Sequence, residues 1–261
     1  MIIFNTDLDN TIIYSYKQDI GKDKINVELY QGREISFITP KTFQLLQQIN
    51  EKILIVPTTT RTLEQYSRID LKLGGFKYAL ACNGGVLLEN GVENIQWYNI
   101  SRESVESCQQ QLNTAVKLFE NDPNRTFEVR NLRELFVFTK SSQPKLTVEM
   151  LKQQLDTNLL DVFYNGVKVY AVPKILNKGN AVKRLQKMLG ADTVITAGDS
   201  EFDIPMLNVA DLGLAPKKLV DISKDCGLPL NNNVEIMSEN KLFAESQLER
   251  VLQFIENHKA L

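Results

Sequence analysis

Short, mostly apolar runs of strand length recur along this chain, and each of them ends at small or polar residues. Such runs are typical of parallel strands that are buried on both faces of a sheet. Amphipathic helices separate them, including one that begins at Thr39-Pro40 and one that follows Lys178 and ends before Gly190. Strands that alternate with helices predict an α/β protein with a doubly wound, Rossmann-like parallel sheet. The runs are residues 1–6, 53–57, 78–82, 193–197 and 212–215.

The segment 86–173 interrupts this alternation. It contains two helical patterns, 102–119 and 147–155, and each of them precedes a pair of strand-like runs. These runs are 126–130, 134–139, 160–164 and 167–172, and the Asn165-Gly166 pair between the last two predicts a type I′ hairpin turn. Helices combined with antiparallel strands predict an inserted α+β domain at 86–173, between two core segments at 1–85 and 174–261.

The composition is that of a globular protein without a strong attraction to polyanions. Apolar residues make up 43%, charged residues 24%, and the formal net charge is -2. No apolar run approaches the roughly 20 residues that cross a bilayer, and the N-terminus lacks the pattern of a signal peptide. The only histidine, His258, lies near the C-terminus, which argues against a Ser-His triad. We therefore predict a cytoplasmic protein that binds neither nucleic acid nor membrane, with no feature that indicates an oligomeric state.

Polar side chains follow four of the predicted strands. Because the carboxyl ends of parallel strands meet at one edge of a sheet, we expect these side chains to lie close together. A lysine, Lys178, begins the helix that leads to the fourth of these strands. The residues that follow the strands are Asp7 and Asp9, then 58–61, then 83–85, and finally 198–203.

The aspartates at this edge are candidate ligands of a hard cation. Asp7, Asp9 and Asp199 supply the oxygen atoms that Mg²⁺ prefers. Asp203 lies four residues beyond Asp199, so one helical turn would bring it to the same site. For Asp7 and Asp9 taken alone, a solvated turn is the alternative, since Asp and Asn favour turns.

A cation and a hydroxyl group are expected at the same edge as these carboxylates. Lys178 and Thr59 can both contact an anion, and a phosphate that bridges the metal and the lysine reconciles the acidic and basic groups at one edge. A carboxylate can also act as a nucleophile and form an aspartyl phosphate. The residues therefore predict Mg²⁺-assisted phosphoryl chemistry.

Four motifs in this order resemble those of haloacid dehalogenase-like (HAD) phosphatases. Asp7-Leu8-Asp9-Asn10-Thr11 matches their D-x-D-x-T motif, and the residues 198–203 match their G-D-x-x-x-D motif. Thr59 and Lys178 match the hydroxyl residue of the second strand and the lysine. The inserted segment, with Asn83-Gly84-Gly85 before it, resembles the C2-type cap of the Cof-like and sucrose-phosphatase-like branch.

The resemblance implies a role for each matching aspartate. Asp7 would attack phosphorus and carry the covalent intermediate. Asp9 would protonate the leaving oxygen and later activate water, while its backbone carbonyl would bind Mg²⁺. Asp199 and Asp203 would also hold the metal, directly or through water.

The resemblance also implies which residues bind the phosphoryl group and the substrate. Lys178 and Thr59 would hold the phosphoryl oxygens, and Lys178 would in addition screen Asp7 from Asp9. Thr60, Arg61 and Asn83 are adjacent candidates for substrate or phosphate contact, although Thr60 replaces the glycine that the family usually has there.

Two of the neighbouring residues have simpler structural alternatives. For Arg61, a solvated position or an ion pair with Glu64 is as good an interpretation as substrate contact. For Ser200, we favour a cap of the helix that carries Asp203.

These observations predict a Mg²⁺-dependent phosphatase. It would hydrolyse a small phosphorylated metabolite, with a sugar phosphate favoured, through an aspartyl-phosphate intermediate. A sugar phosphomutase of the same superfamily is an alternative, because it would use the same aspartates. The second alternative is a non-catalytic protein that binds phosphorylated metabolites and acts as a regulator.

Overall fold

A computed structural model describes residues 1–259 of the 261-residue chain. They form two compact units, the first made of residues 1–94 and 178–259 and the second of residues 95–177. The predicted bounds of the inserted segment, 86 and 173, differ from these. Residues 86–89 and 92–93 belong to the first unit because they form strands that pair next to the strand 78–81. The function of the second unit as a C2-type cap stays a prediction.

The two units are built from short strands and mostly short helices. In chain order the strands are β1 (Ile2–Thr6), β2 (Tyr14–Ser15), β3 (Ile25–Tyr30), β4 (Arg33–Ile38), β5 (Leu54–Pro57), β6 (Tyr78–Ala81), β7 (Val86–Glu89), β8 (Val92–Glu93), β9 (Arg130–Leu132), β10 (Phe136–Lys140), β11 (Leu160–Asn165), β12 (Lys168–Pro173), β13 (Thr193–Ala197), β14 (Leu212–Pro216) and β15 (Val234–Met237). The α-helices are α1 (Pro40–Asn50), α2 (Leu63–Tyr66), α3 (Ile95–Ser104), α4 (Gln109–Glu120), α5 (Pro144–Lys152), α6 (Lys178–Leu189), α7 (Ile204–Val209), α8 (Lys218–Cys226) and α9 (Phe243–Lys259). Short 3₁₀ turns cover Cys82–Gly84 and Glu106–Cys108.

The first unit is organised around a five-stranded parallel sheet with the strand order β15-β14-β13-β1-β5. Successive side chains of a strand point to opposite faces of the sheet. On β1, Ile3 packs with Val182 of α6, whereas the next residue, Phe4, packs with Leu46 of α1 and Leu248 of α9. Helices therefore cover both faces, and the predicted doubly wound α/β fold is confirmed.

Two parts of the first unit differ from the prediction. The run 78–82 was expected as a strand of the parallel sheet. β6 instead pairs antiparallel with β7, and it meets the edge of the main sheet at an isolated parallel bridge between Thr58 and Leu80. A three-stranded antiparallel sheet, β2-β4-β3, was not predicted at all. It lies between Asp9 and α1, where polar residues interrupt the apolar pattern that would reveal a strand.

The second unit is an antiparallel sheet, β11-β12-β10-β9, that packs against helices. The predicted helix 102–119 is divided into α3 and α4 by the turn Glu106–Cys108, and the predicted strands 126–130 and 134–139 shift to β9 and β10. The predicted type I′ turn is wrong. Register pairs Asn165 with Lys168, so Gly166 and Val167 form the loop, and only Gly166 of these two has a positive φ.

Candidate active site

Three neighbouring strands bring the polar residues of the motifs to one edge of the main sheet. β1 lies between β13 and β5, and hydrogen bonds extend this pairing past the strand ends. The Asp7 amide donates to the Ala197 carbonyl (2.9 Å), and the Thr58 amide donates to the Thr6 carbonyl (2.7 Å). Asp7, Thr59 and Asp199 therefore follow strands that are adjacent in space, as the motif order predicts.

Lys178 lies at the centre of the site. It is the first residue of α6 and is fully buried, and its Nζ atom lies 2.6 Å from Asp7 Oδ1 and 2.6 Å from Asp203 Oδ1. Burial alone would lower the pKa of Lys178, but the charges of Asp203 and Asp7 outweigh it and raise the pKa above its usual value. Lys178 therefore stays protonated. Lys178 bridges Asp7 and Asp203, and the screening of Asp7 from Asp9 stays a prediction.

Burial has the opposite effect on the carboxyl groups of this cluster. It raises the pKa of Asp7 well above its usual value, Lys178 opposes that shift, and the charges of Asp203 and Asp199 add to it. Burial also raises the pKa of Asp199 to about 6, with a further contribution from the charge of Asp203 and opposition from Lys218. The carboxylates also outnumber the cations, since three carboxylates here face the ammonium groups of Lys178 and Lys218.

Asp203 is held by a tight turn. Its Oδ2 atom accepts hydrogen bonds from the amides of Asp199 and Ser200 (3.0 Å each) and from Ser200 Oγ (2.8 Å). A Cβ atom at Gly198 would lie 2.3 Å from Asp203 Cβ, so only glycine permits this approach. The predicted cap of α7 by Ser200 is wrong, because that helix begins at Ile204 and Asp203 holds the N-cap position. The turn, and not the predicted helical spacing, brings Asp203 to the site.

The three buried aspartates form a set that fits a hard cation. Oxygen atoms of Asp7, Asp199 and Asp203 lie within 4.8 Å of one another, and Thr11 Oγ1 donates to Asp7 Oδ2 (3.3 Å) and to Asp199 Oδ1 (3.4 Å). Three carboxylates and two ammonium groups leave a net charge of about -1, which favours a cation. Carboxylate oxygens are the donors that Mg²⁺ prefers.

The side chain of Asp9, the other predicted ligand, is turned away from this set. Its two carboxylate oxygens accept hydrogen bonds from Arg61 Nε and Nη2, each at 2.7 Å, and the side chain is half exposed. Arg61 also donates to the buried carboxylate of Glu28 at 2.8 and 2.9 Å. The predicted alternative of an ion pair between Arg61 and Glu64 is wrong, since Arg61 bridges Asp9 and Glu28.

Glu28 makes this bridge rigid. Burial would raise its pKa, but hydrogen bonds from Arg61 and Ser36, together with the charge of Arg68, lower it below the usual value. An ionised glutamate on β3 thus fixes the guanidinium of Arg61, and Arg61 fixes Asp9 in a bidentate geometry that lysine cannot reproduce.

The remaining predicted residues lie along the loop after β5 and at the turn after β6. Thr59 is buried, and its Oγ1 atom accepts a hydrogen bond from the Arg61 amide (3.1 Å). Asn83 is buried in the left-handed region (φ 58°), and its amide donates to the Thr59 carbonyl (3.0 Å). Thr60 is half-buried between Thr59 and Arg61. These contacts bring Thr59, Thr60 and Asn83 together.

Part of the chain matches a known protein family. The family model described as haloacid dehalogenase-like hydrolase matches residues 96–218, which include Lys178 and the turn from Gly198 to Asp203. Over these residues the chain is similar to haloacid dehalogenase-like hydrolases. The predicted resemblance to this family is therefore confirmed, and so is the prediction that the protein is an enzyme, a phosphatase.

Several known phosphatases and hydrolases are similar to this chain. A phosphoglycolate phosphatase from Methanosarcina acetivorans is 29% identical over 175 residues, which are 63% of this chain and 71% of the relative. The solved sucrose-phosphatase from Synechocystis sp. PCC6803 has a TM-score of 0.64 at 18% identity, with 97% of both chains covered. A haloacid dehalogenase-like hydrolase from B. subtilis has a TM-score of 0.59 at 17% identity over 97% of this chain and 99% of its own. At these identities the two structures show a shared fold.

Two residues of the hydrolase site were not predicted. Lys218 Nζ contacts Asp199 Oδ2, and Glu28 anchors Arg61. A signal for Lys218 exists in the sequence, because Lys217 and Lys218 directly follow β14 at the edge where the other site residues lie. No comparable signal marks Glu28, whose strand was itself not predicted. Within residues 1–259, no helix is both long and apolar enough to cross a membrane.

Proposed function

We propose that this hydrolase is a cytoplasmic, Mg²⁺-dependent phosphatase that acts on a small phosphorylated metabolite, with a sugar phosphate as the favoured substrate. The observation that carries the proposal is the buried arrangement of Asp7, Lys178 and Asp203, with Asp199 beside them. It unites a carboxylate nucleophile, a fixed cation and a set of hard oxygen ligands. The Synechocystis sucrose-phosphatase, solved in complex with sucrose and phosphate, supports the choice of a sugar phosphate.

Asp7 is the proposed nucleophile. One of its carboxylate oxygens forms a bond to phosphorus while the bond from phosphorus to the leaving oxygen breaks, which yields an aspartyl phosphate. The charge of Lys178 opposes the rise in pKa that burial gives Asp7, and together with Thr59 it would stabilise the negative charge on the phosphoryl oxygens. Mg²⁺, held by Asp7, Asp199 and Asp203 and by the Asp9 carbonyl, would neutralise charge on the phosphoryl group when bound.

Asp9 is the proposed acid and base. It donates a proton to the leaving oxygen in the first step, and in the second step it accepts a proton from the water that attacks phosphorus, which releases phosphate and restores Asp7. Nε and Nη2 of Arg61 hold the Asp9 carboxyl group in place, each at 2.7 Å. We propose that Arg61 positions Asp9 instead of binding the substrate directly.

A phosphate-release screen over phosphorylated metabolites tests this proposal. With Mg²⁺ present, the wild type should release phosphate from at least one sugar phosphate and from p-nitrophenyl phosphate, and EDTA should abolish the release. Asp7→Asn should abolish it as well, whereas Asp19→Asn, a change of the same kind at an exposed aspartate, should retain it.

Two outcomes would overturn the proposal. Isomerisation of a sugar phosphate without phosphate release would indicate a phosphomutase. Binding of phosphorylated metabolites without turnover of any of them would indicate a non-catalytic regulator.

A further inference from the structure

A second concave region lies next to the proposed active site, in the same unit. It is a cavity of about 280 Å³ at the carboxyl ends of β14 and β15. Asn10, which follows the Asp9 position, and Lys218, which contacts Asp199, both form part of its wall. The cavity and the site of the three aspartates thus share a boundary. None of the proposed catalytic roles uses the rest of this wall.

The charged side chains of the cavity wall are mostly lysines. Lys217, Lys218 and Lys241 lie on it together with a single acid, Glu239. Lys217 Nζ contacts Glu239 at 3.3 Å, but both side chains are largely exposed, and an exposed pair of this kind contributes little energy. Lys217 can therefore exchange Glu239 for a ligand at low cost, whereas Lys241 contacts Glu249 at 2.8 Å and Lys218 contacts the buried Asp199.

Two helices also point their N-termini at the cavity. The residues Lys217 and Lys218 form the start of α8, where no side chain caps the helix, and Leu242 and Phe243 form the start of α9. The N-terminal end of a helix carries partial positive charge and free amide groups, which favour an anion. Both helices are longer than two turns.

A buried hydroxyl completes the wall. Tyr14 is nine-tenths buried, and its Oη atom accepts a hydrogen bond from the Ala244 amide at 3.0 Å. No described residue accepts the hydrogen of this hydroxyl. Burial, with smaller contributions from the charges of Asp199 and Glu245, raises the pKa of Tyr14 to about 12, so the group remains a donor at neutral pH.

We propose that this cavity is a subsite for a carboxylate or a second phosphate, next to the position of the transferred phosphoryl group. The anion would contact Lys217, Lys241 and the Tyr14 hydroxyl. It would also contact Lys218, which a metal ion on Asp199 sets free. If the anion belongs to the leaving group of a substrate, this inference rests on the proposed phosphatase function. Its ligand chemistry is that of a small organic anion, supplied either by the substrate itself or by a separate effector.

Direct binding of a probe anion tests the subsite without any turnover. Isothermal titration calorimetry with malonate should detect binding to the wild type, and binding should become several-fold tighter when Mg²⁺ is present, because Lys218 then loses Asp199 as its partner. Lys217→Met and Tyr14→Phe should each weaken malonate binding about tenfold, the size expected for the loss of one hydrogen bond to a charged group. Lys224→Met, an exposed lysine of the same helix, should leave binding unchanged. Equal affinities in all four proteins, or no binding at all, would overturn the proposal.

A matched pair of substrates identifies the source of the anion. 3-Phosphoglycerate and glycerol 3-phosphate differ in that a carboxylate replaces a hydroxymethyl group. If the leaving group occupies the subsite, Lys217→Met lowers kcat/KM about tenfold for 3-phosphoglycerate and leaves it unchanged for glycerol 3-phosphate. If a separate anion is the ligand, the variant loses malonate binding while both kcat/KM values stay unchanged. An equal decrease for both substrates would contradict the subsite. Lack of turnover with every phosphate ester would refute the proposed phosphatase function. The malonate titration would then still test whether the cavity binds an anion.

Discussion

Replacing Lys178 with methionine removes the cation from a fully buried group of carboxylates while it keeps an unbranched side chain. Lys178 Nζ contacts Asp7 Oδ1 and Asp203 Oδ1 at 2.6 Å, so the substitution leaves two acceptors without their donor. Breaking a buried ion pair in this way costs about 3–5 kcal/mol of unfolding free energy. Asp203 keeps three donors at Oδ2, and Asp7 keeps the Thr11 hydroxyl. We therefore expect about 3 kcal/mol, the lower end of this range, for the metal-free protein at pH 7.

The sign of the pH dependence follows from the pKa of Asp7. Burial already raises this pKa in the wild type, and Lys178→Met removes the positive charge that opposes the rise. A carboxyl group whose pKa is higher in the folded state than in the unfolded state makes the fold more stable as the pH falls through the folded-state pKa. The destabilisation of Lys178→Met should therefore be smaller at pH 5 than at pH 7.

Urea unfolding in EDTA at the two pH values measures both effects. Lys183→Met is the matched control, because Lys183 is an exposed lysine of the same helix, and it should change stability by less than about 0.5 kcal/mol. If Lys178→Met were no less stable than this control, or if its loss of stability were the same at both pH values, the assignment of Lys178 as the counter-ion of Asp7 and Asp203 would be refuted.

Three further perturbations test other parts of the site. Because burial and the charge of Asp203 raise the pKa of Asp199 to about 6, the metal-free protein should gain stability between pH 7 and pH 5, and Mg²⁺ affinity by calorimetry should fall over that interval. Arg61→Lys should cost about 1–3 kcal/mol in urea unfolding and lower phosphate release, since lysine cannot hold Asp9 in a bidentate pair; an unchanged rate would exclude the positioning role. Gly198→Ala should cost about 1–3 kcal/mol, because its Cβ would lie 2.3 Å from Asp203 Cβ, and wild-type stability would contradict that contact.

The sequence alone predicted those features that depend on strand pattern and on strand ends. Apolar runs revealed four of the five strands of the main sheet, and the residues after them placed Asp7, Thr59 and Asp199 at one edge. This succeeded because parallel topology fixes which ends of strands meet, whatever the side-chain conformations are. β15 was missed because its residues are only partly buried, so its apolar pattern is weak.

The apolar pattern of the sequence could not predict contacts between segments that are far apart in the chain. Glu28 lies 33 residues before Arg61, and nothing local indicates that a glutamate on β3 is buried and ionised. The partner of Arg61 was therefore predicted one helical turn away, at Glu64, where sequence spacing suggests it. The long-range contact is stronger, because a buried carboxylate with a bidentate arginine excludes water that an exposed pair on a helix surface admits.

Side-chain direction explains the remaining differences. Asp9 follows Asp7 by two residues, and spacing alone assigned both side chains to one metal site. In the structure Asp7 points into the buried cluster, while Asp9 is half exposed and paired with Arg61. This separation is consistent with different tasks for the two carboxylates, since Asp7 is buried beside Lys178 and Asp9 is half exposed beside Arg61.

Formation of a phosphoryl bond to Asp7 is the central claim, and intact-mass spectrometry after acid quench tests it most directly. A sugar phosphate or p-nitrophenyl phosphate mixed with the wild type and Mg²⁺ should yield, within one turnover, a chain that is heavier by one phosphoryl group, and peptide mapping should place the group on Asp7. Asp7→Asn should show no such species. A phosphoryl group on a different residue, or phosphate release by Asp7→Asn at the wild-type rate, would contradict the account.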